Sequence, residues 1–182
     1  MAEPTRQATG IRPHWREATL ADLAAICDIA ARIHPDLPER AEVLAEKMRL
    51  YPAGCRVLLS GDAIVGYGIS HPWKLHRIPP LDDFLRELPA DADCLHVHDV
   101  AVRPDCRGGT LAAYVTTIAT LARARGTASL ALVSVYGTQA LWERFGFAAQ
   151  TGDATLQGKL QSYGEAAAYM ICDLDHAREL QA

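Results

Sequence analysis

The chain has 182 residues, and its 49% hydrophobic and 22% charged content is typical of a soluble globular domain. The formal net charge is -4 and the 18 lysines and arginines are scattered, so the sequence excludes a basic surface for nucleic acid. No run of about 20 apolar residues is present, and the N-terminal segment lacks the apolar core of a signal peptide, so we expect a cytoplasmic protein with no membrane partner. Residues 1–13 are predicted to form a disordered tail and residues 14–182 one domain.

Two amphipathic helices are predicted in the first quarter of the domain. Thr19 and Asp22 match the S/T-x-x-D/E signal that begins a helix, and apolar residues then recur at helical spacing as far as Ile33. A second helix is predicted over Pro38–Leu50, with its charged residues Glu39 to Glu46 facing solvent. The apolar stripes of the two helices indicate that both cover one side of a sheet.

A hairpin and a long loop follow the helices. Two apolar runs, 55–59 and 63–70, are separated by Ser60-Gly61-Asp62, which predicts an antiparallel pair of strands. Residues 71–93 are predicted to form an irregular loop that acts as a substrate lid. The prolines of this loop are Pro72, Pro79, Pro80 and Pro89.

The second half of the chain alternates strands and helices, which indicates a mixed α/β arrangement. The predicted elements are a strand over 94–102, a helix over 111–125, a strand over 128–135, a helix over 138–145, and strands near Phe147 and over 166–174. The odd number of cysteines, with no C-x-x-C pair, predicts free thiols without a disulfide or a zinc site. These cysteines are Cys27, Cys55, Cys94, Cys106 and Cys172.

The turn between the strand 94–102 and the following helix contains Arg107, Gly108 and Gly109. Glycines let a ligand approach the backbone closely, and the first amides of a helix are unpaired donors, so a pyrophosphate suits this turn. The spacing matches neither a P-loop nor a dinucleotide-binding motif. On this evidence alone, an ordinary strand-to-helix turn is the alternative.

Two motifs resemble those of the GNAT acetyltransferases. Arg107-Gly-Gly-Thr-Leu-Ala112 resembles the acetyl-CoA signature Q/R-x-x-G-x-G/A, with Thr110 in place of the usual glycine. Leu141-Trp-Glu-Arg-Phe-Gly-Phe147 is similar to the Y-x-x-x-G-F segment of the family. The resemblance implies the GNAT fold: an α/β protein with a mixed, mostly antiparallel central sheet, splayed at the acetyl-CoA site between strands 94–102 and 128–135, and helices on both faces.

The resemblance also implies acetyl-CoA as the cosubstrate. Main-chain groups of the strand end would bind the pantetheine arm, and the amides of the turn would bind the pyrophosphate beside Arg107. The implied cofactor-binding residues are Val100, Ala101, Val102, Arg107, Gly108, Gly109, Thr110, Leu111 and Ala112.

His96 and His98 are candidate catalytic bases. They lie two residues apart on a strand, which predicts one shared face together with Val100 and Val102, and places Asp99 on the opposite face. An alkyl ammonium with a pKa of about 10.4 loses its proton at pH 7 at a cost of about 4.6 kcal/mol, and a neutral imidazole is a suitable acceptor. Arylalkylamine-type GNAT members resemble this chain in an H-x-H strand. A structural role for one or both histidines is the alternative.

Two further expectations concern the chemistry. A metal site built from His96, His98 and Asp99 is not expected, because the alternation of the strand separates the carboxylate from the imidazoles. Trp142 stands where many family members carry a tyrosine that protonates the departing thiolate, and an indole has no suitable proton. Tyr136 is the candidate substitute acid, with a packed aromatic as the alternative, and Trp142 is expected to pack against Phe145.

These expectations lead to three hypotheses about function. The first is an acetyl-CoA-dependent N-acetyltransferase in which a small-molecule amine attacks directly, with His96 and His98 as base or water wire. The second is a CoA-binding regulatory module without turnover, which Thr110 and Trp142 favour. The third is a protein N-acetyltransferase. A homodimer is one assembly open to the chain, since dimers are the commonest homo-oligomers.

Overall fold

The computed structural model describes residues 12–107 and 109–176. Gly108 and nearly all of the predicted tail 1–13 lie outside the described residues. The strands are β1 His14–Glu17, β2 Cys55–Ser60, β3 Ala63–Trp73, β4 Cys94–Val102, β5 Ser129–Ser134, β6 Ala148–Ala149 and β7 Ala168–Asp173. The α-helices are α1 Leu23–Ile33, α2 Ala41–Leu50, α3 Thr110–Ala124, α4 Gln139–Glu143 and α5 Ala154–Gln161.

The strands form one seven-stranded sheet in the order β1-β2-β3-β4-β5-β7-β6. Every neighbouring pair is antiparallel except β4 and β5, so the mixed, mostly antiparallel sheet predicted from the sequence is confirmed. The parallel pairing joins only the residues from Leu95↔Leu130 to Val97↔Leu132. Beyond that point β4 and β5 separate, and this separation opens the sheet between them.

Helices cover both faces of the sheet, as predicted. On one face α1 and α2 bury Ile26 and Leu44 against Tyr67 of β3, and on the other α3 buries Ile118 against Leu132 of β5. Each such side chain contributes roughly 1.5–3 kcal/mol of burial free energy. Within the described part of the chain, no helix is long and apolar enough to cross a membrane.

A β-bulge interrupts β4 in its middle. Ile69 pairs with Asp99, whereas the next residue, Ser70, pairs with Val97, so His98 is an extra residue on β4. A bulge places two consecutive residues opposite one residue of the partner strand and disturbs the alternation of faces.

The bulge corrects the predicted faces of β4. Asp99 lies on the same side as His98, where these side chains meet residues from the ends of α1 and α2. Val100 instead packs into the cluster around α3. The prediction that Asp99 faces away from both histidines, and that Val100 shares their face, was wrong because it assumed unbroken alternation.

Strand β3 is longer than its sequence predicts. The predicted loop begins at His71, but β3 continues to Trp73, which pairs with Cys94. His71 therefore lies inside the sheet, directly opposite His96. The irregular segment is shorter than predicted and covers residues 74–93.

Helix α5 was not predicted. It begins at the N-cap Asp153, whose side chain accepts a hydrogen bond from the amide of Leu156. Only Leu156 and Leu160 are buried along its length, and Gly158 stands at its centre. A short helix with two apolar anchors and a central glycine has a weak periodic signal, which explains the omission.

All five cysteines are free thiols. Burial raises the pKa of Cys55 and of Cys94 to about 12. Because the thiolate is the reactive form, these two buried residues contribute to packing rather than to chemistry.

Candidate functional site

A cavity of about 610 Å³ lies where β4 and β5 separate. Its wall runs from the first turn of α3, along the unpaired half of β4, to the side chains that follow α1 and precede α2. The volume falls in the range of small-molecule and cofactor sites. The two ends differ in construction. We call the end formed by the end of β4 and the start of α3 the cofactor half, and the end around His96 and His98 the acceptor half.

The cofactor half consists of the strand end and turn between β4 and α3. Gly109 is the N-cap of α3 and has a left-handed backbone with φ of 74°, which favours glycine. Arg107 donates a hydrogen bond from Nε to the carbonyl oxygen of Val102 over 3.2 Å. The predicted cofactor residues that line the cavity are Val100, Ala101, Val102, Arg107, Gly109, Thr110, Leu111 and Ala112. Gly108 is outside the described residues.

Thr110, which replaces a glycine of the family signature, is held by local hydrogen bonds. Its hydroxyl donates to the carbonyl oxygen of Cys106 over 3.1 Å, and its own carbonyl oxygen accepts from Nε1 of Trp15 over 2.7 Å. Its side chain is turned into the protein, and the residue is only 7% exposed. The amides of the first turn of α3 remain free to donate at the cavity wall.

The acceptor half contains both histidines predicted from the sequence. The rings of His96 and His98 line the cavity with their centroids 6.5 Å apart. His96 is 2% exposed, and burial, followed by the neighbouring imidazoles, lowers its pKa well below the ordinary value. His98 Nε2 lies 2.7 Å from Oε1 of Glu39. The structure thus brings the two histidines together and pairs one of them with a carboxylate.

His71 is a third member of this cluster, whereas the sequence interpretation placed it in the proline-rich loop as a surface residue that could touch substrate. Its ring centroid lies 5.9 Å from that of His96 and 5.5 Å from that of His98. Its Nδ1 lies 3.1 Å from the carbonyl oxygen of Pro72, and burial lowers its pKa to about 3. The alternation of Ile69, His71 and Trp73 could have extended the strand, but the prolines nearby outweighed it. Across residues 12–107 and 109–176, no group of three or more His, Cys, Asp or Glu side chains is arranged to hold a metal ion.

Glu39 and Lys47 form a buried ion pair behind His98. Lys47 is fully buried, and its Nζ lies 3.1 Å from Oε2 of Glu39 and 3.3 Å from the carbonyl oxygen of Asp83. Burial raises the pKa of Glu39, but the charges and hydrogen bonds of His98 and Lys47 outweigh burial and lower it to about 2. The prediction of a solvent-facing stretch from Glu39 to Glu46 was therefore wrong for Glu39.

Asp99 is the centre of a second polar group. It accepts a hydrogen bond from the hydroxyl of Tyr67, and its Oδ1 lies 3.1 Å from Nε2 of His34. Burial lowers the pKa of His34, but the facing carboxylate outweighs burial and raises it above the ordinary value. The His34 ring stacks on Tyr136 with centroids 5.7 Å apart. This group connects β4 to the end of α1 and to Tyr136, two residues after β5.

Tyr136 and Trp142 occupy different environments. Tyr136 is 47% exposed at the cavity wall, and desolvation raises its pKa above the ordinary value, so the hydroxyl keeps its proton. Trp142 is buried against Phe145 and Phe147, which agrees with the predicted packing role. Tyr136 is thus a half-exposed tyrosine of the cavity wall that keeps its proton.

The segment 74–93 closes the acceptor half from one side. Arg40 Nε lies 3.0 Å from Oδ2 of Asp82, and the carboxylate of Glu46 accepts from the amides of Leu85 and Arg86 over 2.7 and 3.1 Å. The apolar and aromatic side chains that line this half are Ile33, Leu37, Leu81, Tyr136 and Tyr163. The acceptor half is therefore a walled pocket with buried polar groups at its base.

A sheet that splays over a glycine-containing helix start, with a cavity at the opening, is the arrangement of the GNAT fold. The model of the Acetyltransferase (GNAT) family matches residues 20–147. Because the match covers most of the chain, the chain belongs to this family of acetyltransferase enzymes. A comparison with curated protein sequences finds no significant match.

Solved structures with the same fold have diverse roles. Ard1 from Thermoplasma volcanium is 14% identical with a TM-score of 0.68, covering 90% of this chain and 99% of its own. The ribosomal-protein-S18-alanine N-acetyltransferase from Escherichia coli is 18% identical with a TM-score of 0.61, covering 89% and 94%. The GphF GNAT-like decarboxylase, solved with isobutyryl-CoA, is 19% identical with a TM-score of 0.72, covering 88% and 99%. At these identities the likeness shows the fold alone.

Proposed function

We propose that this protein transfers an acetyl group from acetyl-CoA to the amine of a small-molecule acceptor. One observation carries the proposal: a single cavity joins the free amides at the start of α3 to the buried imidazoles of His96 and His98. The first end suits a pyrophosphate and the second suits an amine that must lose a proton. The GphF structure, a fold neighbour, contains an acyl-CoA, which supports a CoA thioester as the donor.

The residues of the cofactor half fit acetyl-CoA. The backbone of Gly109 approaches the cavity without a side chain, and a Cβ added there would meet no atom within 4 Å, so the turn is open to a ligand. Arg107 supplies a positive charge beside the amides of the first turn of α3. The edge of β4 left unpaired by β5 provides main-chain groups for the pantetheine amides. Acetyl-CoA supplies the thioester whose C–S bond breaks.

The acceptor half removes the proton that blocks reaction. The amine arrives as an ammonium, and His98, directly or through a water held against His96, accepts one proton from it. The neutral nitrogen then attacks the thioester carbonyl carbon, so a C–N bond forms as the C–S bond breaks. Alignment in the walled pocket contributes further, since oriented reactants recover about 7 to 11 kcal/mol of barrier.

Tyr136 is the proposed proton donor to the departing sulfur. Its hydroxyl is protonated, half-exposed and in the wall of the same cavity. It gives its proton to the thiolate and regains one from the amide nitrogen, and His98 releases its proton to solvent. The products are the acetylated amine and CoA with a free thiol.

The anchored segment 74–93 favours a small acceptor over a protein. Its contacts with Arg40 and Glu46 fix Leu81 in the wall of the acceptor half, where a protein substrate would need an open groove. Comparing a panel of small amines with peptides that carry free N-termini separates these two functions. Faster acetylation of the peptides would favour the protein N-acetyltransferase.

The first experiment is calorimetric titration with acetyl-CoA. We expect micromolar binding by the wild-type protein and weaker binding by Arg107→Ala, because the cation beside the turn is lost. Arg103→Ala is the matched control: Arg103 lies four residues earlier, pairs with Asp105 and does not line the cavity. No binding at millimolar acetyl-CoA would overturn the proposed function.

The second experiment detects the CoA thiol released with each amine of the panel. Turnover with any amine excludes a regulatory module that binds CoA without catalysis. Tight binding of acetyl-CoA together with no thiol release across the whole panel would favour that module instead.

A further inference from the structure

We propose that Glu39 and Lys47 are positioning residues that hold the proton of His98 on Nε2 and leave Nδ1 as the base of the reaction. This inference rests on the proposed function and assigns the proton-accepting atom within it. Neither Glu39 nor Lys47 was a site residue in the sequence interpretation, which placed the stretch from Glu39 to Glu46 on a solvated helix face.

The first step is the direction of the hydrogen bond between His98 and Glu39. An ionised carboxylate only accepts hydrogen bonds, so the imidazole nitrogen that faces it must carry a hydrogen. That nitrogen is Nε2, which lies 2.7 Å from Oε1 of Glu39. In a neutral imidazole the other nitrogen, Nδ1, is then the acceptor. His98 lines the cavity, so Nδ1 is the ring nitrogen left to accept a proton there.

The second step is the role of Lys47. Its ammonium bonds to Oε2, the second oxygen of the Glu39 carboxylate, so Glu39 lies between a cation on one side and His98 on the other. Lys47 is fully buried and the Glu39 side chain is only 6% exposed. A buried ion pair adds little net stability compared with apolar side chains, because removing both charges from water is costly. Its presence directly behind a cavity histidine points to positioning.

The third step is the connection to the acceptor wall. Lys47 also bonds to the carbonyl oxygen of Asp83, and Leu81, two residues earlier, lines the cavity. The same ammonium therefore orients the carboxylate and holds the segment 74–93. Glu46 anchors this segment too, through the amides of Leu85 and Arg86, but it has no contact with Glu39 or His98 among the described contacts. Glu46→Gln is thus a matched control for loosening the segment alone.

The charge around His98 comes from several elements. Glu39 precedes α2 and Lys47 belongs to α2. His71 of β3 and His96 of β4 lie on the other sides of His98. The titratable residues that face it or lie within this cluster are His34, Glu39, Lys47, His71, His96, Asp99 and Tyr163. Replacing one charged residue of this cluster leaves the others in place. Loss of a negative charge therefore disfavours the protonated form of His98, and loss of a positive charge favours it.

The pH profile of kcat/KM provides the first test. Glu39→Gln removes a negative charge, so imidazolium forms less readily and the acid limb moves to lower pH, while kcat/KM falls by about 10²-fold or more because the tautomer is no longer held. Lys47→Met removes a positive charge, so the acid limb moves to higher pH. Glu46→Gln leaves the shape of the profile unchanged. Shifts of the two variants in the same direction, or profiles that superimpose on that of the wild type, would overturn the proposal.

Nitrogen NMR provides a test that needs no turnover. In ¹⁵N-labelled protein the His98 signals, assigned by their loss in His98→Gln, should show a protonated Nε2 and an unprotonated Nδ1, and Glu39→Gln should mix or reverse this pattern. A protonated Nδ1 in the wild type would overturn the proposal even if the protein acetylates amines. The expected pattern in a protein that acetylates nothing would leave the positioning intact and reject the proposed function. Circular dichroism and acetyl-CoA titration verify that each variant is folded.

Discussion

The two halves of the cavity are built in opposite ways. The cofactor half comes from one continuous segment, in which the end of β4, the turn at Gly109 and the start of α3 present backbone groups. The acceptor half is assembled from side chains that lie far apart in the chain, including Glu39, His71 and His98. The comparison shows that the proposed cosubstrate site depends on local backbone geometry, whereas the proposed reacting groups depend on packing between distant parts of the chain.

The halves also differ in their electrostatics. In the cofactor half Arg107 is exposed, so water screens its charge. In the acceptor half burial lowers the pKa of His71 to about 3, and His98 and Lys47 lower that of Glu39 to about 2 against the opposing effect of burial. The acceptor half is therefore where pH and charge substitutions should have their largest effects.

The largest effect is expected for the cavity histidines. His98→Ala and His96→Ala should each lower kcat/KM by about 10²-fold or more at pH 7, because the proton acceptor or its water is lost. Titration with acetyl-CoA should give wild-type affinity, which confines the damage to the acceptor half. His14→Ala, at an exposed position in β1, is the control and should keep full activity. Wild-type rates in both cavity variants would remove the histidines from the mechanism.

The second effect concerns the pH dependence of stability. The pKa of His71 is about 3 in the folded protein and about 6.5 in the unfolded chain, so the unfolded chain binds the proton first. Its contribution is complete above about pH 6.5 and is lost as the pH falls toward 3, with a slope of up to about 1.4 kcal/mol per pH unit. His71→Asn, which keeps a donor near the carbonyl of Pro72, should flatten the curve of unfolding free energy against pH.

Urea unfolding between pH 4 and pH 7 measures this slope. His14→Asn is the control and should keep the wild-type slope, since His14 is exposed. An unchanged slope in His71→Asn would show that His71 takes up its proton without unfolding the acceptor half.

The third effect tests the backbone of the cofactor half. Gly109→Ala places a side chain on a residue with φ of 74°, which costs about 1–2 kcal/mol, and relaxation of the turn should weaken acetyl-CoA binding by about 10-fold. Gly126→Ala is a close control, because Gly126 has φ of 78°, lies at the other end of α3 and also has no atom within 4 Å of an added Cβ. Both variants should lose similar stability, but only Gly109→Ala should lose affinity. Equal acetyl-CoA affinities of the Gly109→Ala and Gly126→Ala variants would show that the turn at Gly109 does not bind the cosubstrate.

The smallest effect is expected for the proposed acid. Tyr136→Phe should lower kcat by about 3- to 10-fold, since a thiolate leaves readily and general acid assistance contributes less than usual. Acetyl-CoA affinity should not change. Measuring kcat across pH gives the check: unchanged values at every pH would make Tyr136 a wall residue that stacks on His34.

The fold was largely predictable because its signals are local. Helix α3 was predicted over 111–125 and spans Thr110–Ala124, and the strand 94–102 was predicted at its observed bounds. The mixed, splayed sheet followed from the resemblance to the GNAT family. Helix α5 and the last residues of β3 were not predicted, because a central glycine and a strand proline each weakened the local pattern.

The acceptor half was only partly predictable. His96 and His98 were candidates because they stand near the cofactor signature, and Tyr136 because it follows β5. The partner of His98, Glu39, was predicted to face solvent, because helical periodicity does not show that Lys47 and the segment 74–93 lie against it. The predicted side for Asp99 was wrong because of the bulge in β4. A bulge arises from cross-strand hydrogen bonding, and the alternation of residues in the sequence does not indicate it.

The sequence by itself determined the family, the class of the sheet and the turn at the cofactor half, because these depend on contiguous residues and on backbone geometry that glycine and apolar periodicity reveal. The tertiary structure alone decided the bulge at His98, the entry of His71 into the sheet and the burial of the Glu39–Lys47 pair. Each of these depends on contacts between residues far apart in the chain, where the free energy of burial and pairing is set by neighbours that no local pattern contains.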